Sequence, residues 1–150
     1  MCSIEEPDCT VIFADMATAD IDRIIELLEL VIGDITKREN LLALFTILGV
    51  IGATVFAGGI NIPWVGALLG GGMKFTEWIT KINIKKMLKA LNHLLVKMYY
   101  IRDVLNNDEF KIPPGFFNVR ITIYSDRIEF YFPNQAEDWN ITFDLSGQGP

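Results

Sequence analysis

The chain has 150 residues, 51% of them apolar and 21% charged, with a formal net charge of −6 and a pI near 4.7. That length suits one domain, or one small domain with an appendage, and is enough to bury a core without disulfide or metal staples. The acidic balance excludes a phosphate-backbone binder, which needs a clustered basic surface, so no nucleic-acid partner is expected.

Charge is excluded from one zone rather than scarce. Residues 1–40 hold ten acids against three bases, and residues 41–73 hold neither. Residues 74–105 hold seven bases against two acids, and residues 106–150 seven acids against three bases. The composition divides the chain into five parts. These are an N-terminal segment (1–16), an acidic amphipathic helix (17–38), a hydrophobic glycine-rich hairpin (39–73), a basic amphipathic helix (74–107) and a β-meander (108–150). The fold class that follows is α+β. A hydrophobic helical hairpin is flanked by two amphipathic helices and followed by a three-stranded antiparallel meander.

In the N-terminal segment, Cys2 and Cys9 are too few for a disulfide framework, and with His93 as the only histidine they form no zinc site. Free thiols in a reducing compartment are expected, with a terminal disulfide as the alternative. The acidic stretch "MCSIEEPDC" lacks the basic-then-apolar run of a secretory signal. "CTVIFAD", Cys9 to Asp15, is a candidate edge strand.

A helix follows, capped by Thr18 or Asp20. Ile21, Ile24, Leu28, Val31 and Ile35 share one face, widened by Ile25, Leu27 and Ile32, while Asp22, Glu26, Glu29 and Asp34 lie mainly outside it. "TKREN" then interrupts the apolar pattern.

Leu41 to Ile60 is long enough, at roughly 30 Å of helix, to match a hydrocarbon core of ~30 Å. Gly58, Gly59 and Pro63 supply a reversal. The second arm, Ile62 to Met73, reaches only roughly 18 Å and is a complete span, a half-span or a re-entrant loop. Lipid contact is assigned to Leu41, Leu44, Phe45, Leu48, Ile51, Val55, Phe56, Trp64, Leu68 and Leu69. Small residues at Gly49, Ala53 and Ala57, and again at Gly66 and Gly70, form ridges that let helices approach closely in lipid, so a homo-oligomer is expected. Lys37 and Arg38 precede the first arm and Lys74, Lys81, Lys85 and Lys86 follow the second. The loop between the arms has no basic residue, the positive-inside layout of a hairpin with both chain ends in the cytoplasm. The alternative places the hairpin as the buried centre of a soluble α+β domain.

"GALLGGGMKF" does not meet the phosphate-loop pattern, because Met73 precedes Lys74 and Phe75 follows it. The stretch from Glu77 to Leu105 reads as one long helix. Ile84, Met87, Leu91, Leu94, Met98, Ile101 and Leu105 line its apolar stripe. Lys81, Lys85 and Lys89, with Lys86 and Lys97 nearby, form a basic stripe. Lys74, Lys81, Lys85, Lys86 and Lys89 are the candidates for anionic lipid headgroups. The competing assignments are a solvated face or pairing with the acidic first helix.

"NND" and "KIPPG" end that helix. Beyond them, alternation predicts three strands. A turn over Ser125-Asp126 pairs Ile123 with Ile128, Ile121 with Phe130 and Val119 with Phe132. Trp139, Ile141, Phe143 and Leu145 alternate in the third strand. One face is oily and needs the apolar face of a helix to cover it. Asn140-Ile141-Thr142 is a glycosylation sequon expected to be idle. His93 has no nucleophile near it in the sequence, and Glu129 and Asp144 point outward, so no acid–base pair stands out. No catalytic residue, cofactor or metal is expected, and an enzyme ranks last.

The function this supports is a non-enzymatic protein embedded in or inserting into a membrane, with lipid as its partner. It would oligomerise through the hairpin as a permeabilising assembly or as an anchor for a protein bound at the meander or the acidic helix. The alternative is a soluble interaction module. A variant of it is a dormant form that inserts its hairpin on a trigger.

Overall fold

The structure, a computed structural model, describes residues 10–48, 73–124 and 127–144. Among the described residues, four helices and a four-stranded antiparallel sheet make the fold α+β.

Strand β1, Thr10–Asp15, leads into helix α1, Ile21–Gly33. Asp20 caps α1, its side chain accepting the Arg23 N–H at 3.1 Å. The expected stripe is buried: Ile21, Ile24, Ile25, Leu27, Leu28, Val31 and Ile35 are all at most 6% exposed. Asp22, Glu26 and Glu29 face outward, as the period requires.

Helix α2 is Arg38–Ile47, with Lys37 as its N-cap residue. "REN" therefore belongs to the helix instead of interrupting it, and the expected first arm is described only as far as Leu48. Leu41, Leu44, Phe45 and Leu48 recur at steps of three, one and three, and all are buried against the core, with α2 packed on α1.

The long basic helix is two helices. Helix α3 is Met73–Lys81 and α4 is Ile84–Leu105, broken at Ile82-Asn83. Asn83 ends the continuity by capping α4: its Oδ1 accepts the Lys86 N–H at 3.1 Å. The break rotates Ile82 inward, where it is buried, and leaves Ile84 among the exposed apolar side chains. Ile84 therefore drops out of the expected stripe, and Met87, Leu91, Leu94, Met98 and Ile101 carry it, each fully buried.

The sheet has strand order β1-β2-β3-β4, with β2 at Asn118–Ile123, β3 at Arg127–Tyr131 and β4 at Ile141–Asp144. Its fourth strand is the candidate edge strand of the N-terminal segment, which lies at one edge of the sheet beside the meander and pairs antiparallel with β2 from Thr10↔Ile123 to Asp15↔Asn118. Ile123↔Ile128 and Ile121↔Phe130 pair as alternation implied. The expected Val119↔Phe132 pair falls outside the ladder, whose last pair is Arg120↔Tyr131, although both side chains are buried. Phe132 has left the strand because its N–H turns to the side chain of Asn140, at 3.3 Å. Trp139 likewise lies in a short 3-10 turn, Glu137–Trp139, rather than in the third expected strand, and Leu145 lies outside the described residues.

One sheet face packs on α4, α4 on α1, and α1 on α2. Phe117, Val119, Ile121, Ile123, Ile128, Phe130, Phe132, Ile141 and Phe143 supply the sheet side of the core, each at most 3% exposed. Rings interlock there edge to face, with Phe130 and Phe143 centroids 5.4 Å apart and Phe132 and Trp139 also 5.4 Å apart. The geometry favours such pairs beyond their buried area.

Candidate functional site

The lysines expected on one helix face sit around the α3–α4 junction. Lys81 ends α3, Lys85 and Lys86 occupy the first turn of α4, and Lys89 lies one turn further. All four are exposed. Lys74 lies in the first turn of α3, and its side chain is outside the description. Residues at i and i+4 are neighbours on a helix, so Lys85 and Lys89 form one ridge.

This placement runs against the helix dipole. The start of α4 exposes N–H groups with partial positive charge, which favours acidic side chains there. The first turn has none and carries two lysines instead. Charge of one sign is thus concentrated where local helix energetics would disperse it. No ion pair to Lys81, Lys85, Lys86 or Lys89 occurs among the described residues.

The acidic helix does not neutralise this face. Among the described residues, the ion pair of α1 is internal, Arg23 to Glu26 at 2.6 Å. Desolvation, with the carboxylate of Glu29 on α1 as the second cause, holds the phenol of Tyr99 on α4 above its ordinary range. Lys97 leaves the basic face as well, lying 3.8 Å from Asp138 and 4.9 Å from the Trp139 ring centroid. The basic stripe is therefore shorter than the sequence implied and confined to the start of α4.

The chain leading into α3 is the glycine-rich stretch. Of the residues assigned to lipid contact, Leu41, Leu44, Phe45 and Leu48 line the core on α2. Ile51, Val55, Phe56, Trp64, Leu68 and Leu69, with the small-residue ridges Gly49, Ala53, Ala57, Gly66 and Gly70, lie outside the described residues. No helix among the described residues is long and apolar enough to cross a membrane.

Chemistry of other kinds has little to work with. Among the described residues no three His, Cys, Asp or Glu side chains gather as metal ligands. His93 is half-buried beside the stripe of α4. Sequence reasoning missed a feature on the outer face of the sheet, where Phe13, Arg120 and Tyr131 line a cleft. Finding it requires the β1–β2 pairing, which no local pattern in the sequence announces.

Comparison with protein-family models, with curated proteins and with solved structures returned no match to the chain.

Proposed function

We propose that the protein is a non-enzymatic membrane-inserting protein. Its α+β core stays folded while the uncharged stretch enters lipid and the lysine face engages anionic headgroups. The observation that carries this reading is the exposed lysine cluster, without an ion pair among the described residues, that follows a stretch without charge.

The core narrows the form of insertion. With Leu41, Leu44, Phe45 and Leu48 buried in it, the uncharged material beyond the core is residues 49–72, of which eight are glycine. Divided at Gly58–Pro63, each arm has about nine residues, or roughly 13 Å if helical. That is under half of a ~30 Å hydrocarbon core, so the reading becomes a shallow or re-entrant insertion into one leaflet. Nine residues of 49–72 are Leu, Ile, Val or Phe. At about 0.3–0.6 kcal/mol each they contribute roughly 3–5 kcal/mol before glycine and Asn61 offset part of it. Lysines near an anionic surface add about 1 kcal/mol each. The two terms are similar in size, so binding needs both the apolar stretch and anionic lipid. Self-association through Gly49, Ala53, Ala57, Gly66 and Gly70 would make the bound form an oligomer, either permeabilising or serving as an anchor for a partner, with both chain ends on the cytoplasmic side.

Burial of Leu41, Leu44, Phe45 and Leu48 favours a second reading, an interaction module in which the whole hairpin is core. Flotation of the purified chain with vesicles separates the two. The membrane reading expects flotation with vesicles containing phosphatidylserine, retention after alkaline carbonate, and loss of flotation in the K85E/K86E variant. A chain that stays at the bottom of the gradient with every vesicle composition is the result that overturns it.

A further inference from the structure

The outer face of the sheet, turned away from α4, carries an arrangement that membrane insertion does not use. Phe13 on β1, Arg120 on β2 and Tyr131 on β3 stand in register as one row across three strands. Neighbouring strands are ~4.8 Å apart, so the arginine is flanked on both sides by an aromatic residue. A cleft of about 450 Å³ opens over this row and is lined further by Asp15, Asn118 and Pro133. That volume is ordinary for a small-ligand site.

The polar content of the cleft is unbalanced. The Arg120 guanidinium carbon lies 4.6 Å from the Tyr131 ring centroid. Its Nε is buried and has no hydrogen-bond partner among the described residues, a condition folded chains rarely tolerate. The two outer-face carboxylates nearest the row, Asp15 and Glu129, are engaged elsewhere. Asp15 Oδ1 accepts the Ala17 N–H at 2.9 Å, and Glu129 Oε2 accepts from Arg127 Nε at 3.5 Å. Phe13, the opposite wall, is 77% exposed, a large apolar surface for a single side chain to leave in water.

We propose that this cleft binds a small aromatic carboxylate. The ring of the ligand covers Phe13, and its carboxylate takes the guanidinium of Arg120, including the orphaned Nε. A planar fork of donors matches a carboxylate with two parallel hydrogen bonds, which a lysine cannot provide. Stacking on Tyr131 holds the fork while leaving its edge available. Asp15 at the end of the cleft disfavours a second negative charge, so a monoanion fits and a dianion does not.

The probe is 2-naphthoate, titrated into the ¹⁵N-labelled full-length chain and followed by backbone amides and arginine Nε–Hε resonances. The expected result is saturable shifts confined to the Phe13–Arg120–Tyr131 row and the Arg120 side chain, with Kd below about 1 mM. The uncharged analogue 2-naphthylmethanol should bind at least about tenfold more weakly, as should 2-naphthoate to Arg120→Met, the loss of a charge-assisted pair. Phe13→Ala, at an exposed position, keeps the fold and should weaken binding severalfold. If Arg120→Met does not fold, Arg120→Lys keeps the charge without the fork and should show the same weakening. Shifts that do not saturate, equal binding of the alcohol, or shifts centred elsewhere on the chain would overturn the proposal.

Discussion

Gly115 shows how much a single backbone angle decides here. It has φ of +78°, the one positive value among the described residues. Its carbonyl accepts the Asn118 N–H at 3.0 Å and the Asn134 side-chain amide at 2.8 Å, so the turn before β2 is tied to the turn after β3. A Cβ at this position would meet Asn118 Nδ2 at 3.0 Å. Gly115→Ala therefore combines a left-handed backbone with a tight contact, and should lower unfolding stability by about 1–3 kcal/mol, read as a shift in the urea midpoint. An unchanged midpoint would mean that the turn relaxes at no cost. "PPG" announced a turn at this place, but the clasp from Asn134 and Gln135 onto residues 115 and 116 did not show in the sequence, because it joins residues 19 apart.

At the scale of elements, periodicity made helix faces and strand alternation legible and left their ends obscure. The apolar steps of α1 and the inward residues Ile121, Ile123, Ile128 and Phe130 were readable because burial on one face imposes a period of 3.6 or 2. The break between α3 and α4 was not. The apolar stripe read from Ile84 onward hides an asparagine just before it, whose side chain competes with the helix backbone. The capping role gives a direct expectation. Asn83→Ala should cost about 1 kcal/mol, whereas Asn83→Asp should retain most of the stability, because aspartate accepts the same N–H. Thermal unfolding of both variants checks it, and equal losses would contradict the cap. The same cap fixes where Lys85 and Lys86 point, since it sets the phase of α4. Trp139 deceived in a similar way: its alternation with Ile141 and Phe143 is real, but a 3-10 turn delivers the ring to the core as well as a strand would.

For the whole molecule, the layers run sheet, α4, α1, α2, and the core they enclose includes the first turns of the uncharged stretch. Reading charge alone placed Leu41 with Leu69 as one lipid-facing set. Of that set, Leu41, Leu44, Phe45 and Leu48 are buried in a core that depends on long-range packing and so leaves no local trace, and Leu69 lies outside the described residues. The candidate site was half legible for the same reason. The lysines were visible as a stripe, but their confinement to the start of α4, and the engagement of Lys97 with Asp138 and Trp139, depend on where the sheet lies. On the function proposed, residues 49–72 complete their burial in lipid while the core stays folded. Amide hydrogen exchange of the full-length chain, with and without phosphatidylserine vesicles, tests that most directly. The account predicts fast exchange across 49–72 in buffer and strong protection there with vesicles, while β2, β3 and α4 keep their protection unchanged; slow exchange across 49–72 in buffer that vesicles leave untouched would contradict it.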